Sequence, residues 1–163
     1  MTTAQIVYGT NSDLTHTLAS LASDTNLIAG RQSAAVDNTT DDAIDAIVQG
    51  KVTTGTSPTA SRQIEIWAFG SVDGTTYSAG AGASDANFSP TGEKSLLKLL
   101  EAIPTDGTSN HTYEWGPHSI AAAFGGVMPR NWGIYIVHNT GVALNATGSN
   151  HETTYTPIKY ESL

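Results

Sequence analysis

Apolar and polar positions alternate along this chain in short runs, and three of those runs carry β-branched or aromatic residues on both faces. They centre on Ile64–Gly70, Trp132–His138 and, more weakly, Ile44–Val52. In Gln63–Ser71 one face reads Ile64, Ile66, Ala68 and Gly70; the other reads Glu65, Trp67 and Phe69. A strand with one face in water alternates cleanly between apolar and polar residues. This one does not, so a second layer of the same domain or a neighbouring subunit must cover its other face. Trp132–Asn139 repeats the pattern, with Trp132, Ile134, Ile136 and His138 against Tyr135 and Val137. From Ile44 the alternation is more regular. Ile44, Ala46, Val48, Gly50 and Val52 point inward, and Asp45, Gln49, Lys51 and Thr53 outward, with Ile47 as the exception.

Weaker signals fill in the rest. Gln5-Ile6-Val7-Tyr8 predicts an extended segment within a short N-terminal arm, residues 1–10, and Ala29–Val36 predicts a further strand. Asp37–Asp42 reads as a polar turn whose side chains cap their own backbone. Asp73-Gly74 closes the strand from Gln63 with a tight turn that needs positive φ. Tyr77–Gly92, rich in small residues, predicts a long loop of the kind that is functional or mobile. Ser95–Ile103 fits a helical face through Leu96, Leu99, Leu100 and Ile103. Its shortness, Pro104 and its β-rich surroundings favour a strand. Thr112–Trp115 reads as another strand. Ser119–Phe124 predicts one short helix, with Ser119 as N-cap and Gly125 just past its end. Glu152–Tyr160 is the last strand, and Pro157 places it at an edge or a bulge because proline cannot donate to the ladder. Eight to ten such strands predict an all-β protein, a jelly-roll-like β-sandwich forming a single domain over residues 1–163.

Composition narrows the function. Charged residues make up 13% of the 163 residues, about half the usual ~25%, and the net charge is -8. Such a chain is repelled by phosphate backbones and anionic bilayers, which argues against nucleic-acid and membrane partners. The opening MTTAQIVYGT has neither the basic region nor the apolar run of a signal peptide. There is no cysteine, which excludes disulfides, thiolate metal sites and cysteine nucleophiles. The glycosylation sequons at Asn38, Asn87, Asn110 and Asn145 read as chance in a Thr/Ser-rich chain.

No catalytic constellation emerges. His16, His111, His118, His138 and His151 are too far apart for a local zinc pattern. Asp37, Asp41, Asp42 and Asp45 lack the spacing of a calcium loop. No G-x-S-x-G occurs, Ser119 beside His118 is mere adjacency, and Gly125-Gly126 lacks the rest of a phosphate loop. Carboxylate pairs for glycoside hydrolysis are set by distance in space and stay open. The reading is therefore a non-enzyme with no cofactor and no metal. Trp67, Trp115 and Trp132 are either core or a sugar-stacking platform, and Trp115, beside Gly116-Pro117, is the one expected at the surface. Trp67, Phe69 and Trp115 are the candidates for subunit-interface or glycan contacts.

Four segments carry a resemblance: Thr17–Ala22, Gly30–Thr40, Ser71-Val72-Asp73-Gly74-Thr75-Thr76-Tyr77, and Ala123–Gly133, which includes Gly125-Gly126-Val127-Met128-Pro129-Arg130-Asn131-Trp132. In this order the chain resembles small tailed-bacteriophage virion structural proteins of the head decoration, or capsid cement, type. The resemblance implies a jelly-roll-like virion protein on the outer capsid surface, made in the host cytoplasm. It would bind the major capsid protein, often as a homotrimer, and stabilise the shell. No catalytic residues carry over. Gln5, Ile6 and Tyr8 are the candidate capsid-binding residues, adding as a strand to an exposed shell sheet. A carbohydrate-binding sandwich for host recognition and a tail or neck structural protein are the alternatives.

Overall fold

A computed structural model describes residues 3–92 and 94–162. Two antiparallel sheets pack face to face. The first is ordered β1 (Ala4–Tyr8), β11 (Glu152–Ser162), β5 (Asp45–Thr53), β9 (Thr112–Ser119), with β2 (Ser12–Asp13) continuing the β1 side of β11. The second is ordered β7 (Ala86–Phe88), β3 (Gly30–Gln32), β10 (Asn131–His138), β6 (Arg62–Ser71), β8 (Lys98–Thr105), with β4 (Val36–Asp37) also on β10. Taking β2 and β4 as continuations of β1 and β3, and β7 as an addition, eight main strands remain. They lie first-eighth-third-sixth in one sheet and second-seventh-fourth-fifth in the other. That is the order of a jelly roll.

The inner faces make the main core. Ala46, Val48 and Val52 of β5 meet Ile64, Ile66, Trp132, Ile134 and Ile136, with Leu14 and Leu18 filling one side. The Trp132 ring stands edge-on to Tyr155 at 5.3 Å. Every residue of β10 is buried. On the outer face of β6 and β10, Phe69, Tyr135 and Val137 pack under Tyr77, Ala79, Phe88 and Leu97. Phe88 meets Tyr135 edge-to-face at 5.1 Å, and Tyr77 meets Phe69 at 6.0 Å. The second face of the two-sided strands is thus covered by the chain's own segment 77–97, not by a subunit. Tyr77–Gly92 is accordingly a packed layer that contains β7, hydrogen-bonded to β3, and not an open loop.

Other expectations are refined. Ala29–Val36 is two strands, β3 and β4, interrupted where Ser33 turns its hydroxyl to accept from the Ile134 N–H. Ser95–Ile103 resolves into a 3-10 turn, Lys94–Leu96, followed by β8, which runs on through Pro104 as an edge strand. A bulge opposite Ile66/Trp67 changes its phase. Leu97 therefore joins the outer layer, Ile103 the main core, and Leu99 is exposed. Pro157 lies inside the sheet, between β5 and the β1–β2 side. Its carbonyl accepts from the Gly9 N–H at 2.7 Å. Its missing donor points the same way, so the reciprocal bond to Gly9 is absent where the pairing shifts by one residue between β1 and β2. The predicted helix is present as α1 (Ile120–Ala123), with the Ser119 hydroxyl accepting from the Ala122 N–H at 3.0 Å. Asp45 holds this cap by accepting from the Ser119 hydroxyl and the Ala121 N–H.

Candidate functional site

The jelly roll has two unlike ends. At one, β5 begins, β6 and β9 finish, β10 begins, and β11 projects with β1. Eight large apolar side chains are exposed among the described residues, and five of them, Ile6, Tyr8, Val72, Val127 and Tyr160, belong to this end. The opposite end is built mainly of Thr, Ser, Asn and Gly loops and shows one of the eight, Ile28, in the turn that Asp24 fastens to the end of β10.

At the apolar end, two of the resemblance segments meet. The turn after β6 and the loop after α1 line an open groove of about 640 Å³ with Val72, Tyr77, Phe124, Val127, Met128 and Arg130. Asp73 shapes one wall. It accepts from the Thr76 and Thr75 N–H groups at 2.7 and 2.8 Å and from the Ser71 hydroxyl at 2.9 Å. These donors, the Thr76 N–H first, hold its carboxyl well below the usual carboxylate range. Gly74 takes the predicted positive φ, +76°. The turn thus presents Val72, 87% exposed, on a fixed frame. The groove residues carry no sequence periodicity, so only the juxtaposition of two distant loops makes the site.

Gln5, Ile6 and Tyr8 lie on β1, paired along its length with the end of β11, Ile6 opposite Tyr160 and Tyr8 opposite Ile158. The N-terminal segment is therefore an edge strand of its own sheet. Beyond Ile158, β11 has no β5 neighbour, so β1 and residues 159–162 form a two-stranded ribbon projecting from the body.

The tryptophans and Phe69 divide differently from expectation. Trp115, 3% exposed, and Phe69, fully buried, belong to the two cores, because the Trp115 ring lies over Gly50 and Phe69 is roofed by segment 77–97. Neither ring is exposed at the surface. Trp67 is the partly exposed one. Its indole N–H donates to Glu65 at 2.9 Å, and Lys94 sits 4.9 Å from the ring centre. Trp115 still borders a polar cleft of about 630 Å³ on the open face of the first sheet, with Asn11, Asp13, Lys51, Glu114 and Glu152. Its buried indole N–H has no hydrogen-bond partner among the described residues.

The titratable residues serve the scaffold. Asp41 pairs with Lys159 at 2.7 Å, Asp37 caps Thr39 and Asp45 caps α1, so three of the four clustered acids are spent on separate partners. Buried His138 donates from Nε2 to the Leu21 carbonyl and meets Thr140 Oγ1 at Nδ1; burial pushes it down to about 4. His151 Nδ1 accepts from the Thr53 N–H, so Nε2 carries the proton and donates to the Asn145 carbonyl. Two of the sequon asparagines are joined to each other, Asn145 Nδ2 donating to Asn110 Oδ1 at 2.9 Å. No family model, curated protein or solved structure matches this chain.

Proposed function

We propose that this protein is a non-enzymatic virion component that docks on the outside of a bacteriophage head, on the major capsid protein, and stabilises the shell. The observation that supports this reading is the asymmetry of the two ends. Exposed apolar side chains rimmed by polar ones mark contact surfaces. Here five of the eight lie at one end, and two of those, Val72 and Val127, line a groove built from two of the segments that carry the resemblance. Weak contacts of this kind become strong when many copies cover a lattice. The test is co-sedimentation of the purified protein with heads stripped of it. Saturable binding at a fixed ratio to the shell protein, weakened by Val127→Asp or Val72→Asp, is the expected result. Intact heads that take up no protein would overturn the reading.

A second reading is supported by the polar cleft beside Trp115, whose amides and carboxylates suit sugar hydroxyls. Binding of simple sugars would change tryptophan fluorescence, and Glu114→Ala would abolish the change.

A further inference from the structure

A jelly roll has two edges in each sheet, and an unpaired edge invites another strand. Among the described residues all but one are guarded. The edge of β9 carries Glu114, Pro117 and His118, and it is tied to β8 by Glu101, which accepts from the Gly116 N–H at 3.0 Å and bonds His118 Nε2 at 2.8 Å. β8 itself carries Lys98, Glu101 and Pro104. β7 and β4 are three and two residues long. Beside β2 the chain crosses between the sheets, with Leu14 bonded to Thr153 and Ala34 to Thr15. The remaining edge, β1, reads Ala4-Gln5-Ile6-Val7-Tyr8, with no charge, no proline and no bulge. Four of its five residues are exposed.

We infer that β1 is closed by β1 of a second copy of this chain, in antiparallel pairing about a two-fold axis at Ile6. The backbone supplies the register. The Gly9 N–H points to β11. In an antiparallel ladder successive residues point alternately to either side, with N–H and C=O of one residue on the same side. Val7 and Gln5 therefore also face β11, and the free groups of Tyr8, Ile6 and Ala4 face outward. A two-fold at Ile6 sets Ile6 against the partner's Ile6 and Ala4 against the partner's Tyr8, so every outward N–H and C=O finds its complement. One face then carries a stripe of Tyr160, Ile6, the partner's Ile6 and the partner's Tyr160. On the other face, Glu161 shares a row with the partner's Lys159 and not with the partner's Glu161. In a chain of net charge -8, this edge brings two copies together without facing carboxylates. The same pairing gives the projecting ribbon the further strands that a two-stranded ribbon lacks.

This inference stands apart from the shell-docking reading and survives its failure. Five residues a side bury less than the ~800 Å² per partner of a stable interface, so the dimer forms as concentration rises. The deciding variant is Ile6→Pro. It removes an outward N–H and no bond to β11, and proline is tolerated on a free edge. Sedimentation velocity over a concentration series should show wild type passing from monomer to dimer and Ile6→Pro remaining a monomer, with unchanged thermal melting. Amide exchange at Ile6 should slow about tenfold or more in the dimer, while exchange at Val7 changes little. A wild type that stays monomeric at the highest concentration overturns the inference, as does a dimer or trimer that persists in Ile6→Pro. A monomeric wild type whose head binding is lost in Ile6→Pro would give the edge to a shell strand instead.

Discussion

The two sheets differ most in what lies outside them. Beyond β6 and β10 the chain lays a third layer, with Tyr77, Ala79, Phe88 and Leu97 over Phe69, Tyr135 and Val137. Beyond β5 and β11 no further layer lies among the described residues, and the surface carries polar clefts lined by side chains such as Gln49, Lys51 and Glu152. The strands carry this difference in their residues: β10 is apolar on both faces, while β5 alternates. Two-sidedness in a strand reports that a cover exists. It does not report whether the cover is the chain or another molecule, and here it is the chain.

The largest way to break this comparison is to remove the cover. Phe88→Ala deletes the ring that meets Tyr135 and should cost about 3–5 kcal/mol, as large-to-small core changes do, read as a lower urea midpoint. A subunit-borne cover would have made Phe88 nearly neutral in the monomer. Acid comes next. His138 ends the inner stripe of β10, is fully buried, and is held at about 4 against a normal 6.5. The unfolded chain therefore takes up that proton first. Stability should fall as pH drops from about 6.5 to about 4, by up to the order of 3 kcal/mol from this residue, whose share then levels off; His16, also pushed down to about 4 by burial, adds to the loss over the same range. Urea midpoints across that range, with the His138 ring followed by NMR, check the sign.

Gly50→Ala probes the inner face of the thinner half. A Cβ there would lie 2.2 Å from the Glu152 carbonyl oxygen and 2.8 Å from the Trp115 ring. Overpacking should cost about 1–3 kcal/mol, seen in the thermal midpoint. The smallest effect belongs to the open face. Gln49 is exposed, and Gln49→Ala should stay within about 0.5 kcal/mol. A larger loss would mean that this face is covered too.

The elements were legible wherever local chemistry acts alone. β6, β10 and the alternation of β5 follow from side-chain period, and α1 from Ser119 and Gly125. Three positions were misjudged for one reason. Trp115 was expected at the surface because Gly116-Pro117 suggests a strand end, yet β9 runs on to Ser119 and the ring finds space over Gly50, a cross-strand partner distant in sequence. Phe69 reads as an interface or glycan contact, yet residues distant in sequence, Tyr77 among them, roof it; Pro157, by contrast, sits beside a bulge as its missing donor predicts, at the one-residue shift in pairing between β1 and β2. Small residues in Tyr77–Gly92 suggested mobility, yet Tyr77 and Phe88 anchor that segment over β10. Of the candidate site, the Asp73-Gly74 turn was readable. The groove was not, because its residues meet only when two loops do.

The sequence by itself determined the class of fold, the strands that need two covers, the one capped helix, and a weakly charged acidic surface. These depend on period, on side-chain size and on interactions within a few residues. Only the tertiary structure decided which segment covers β10, how the strands order into a jelly roll, and that β1 is left as the unguarded edge. Those outcomes depend on pairings between residues far apart in the chain, and hydrophobic burial, which drives them, carries no address.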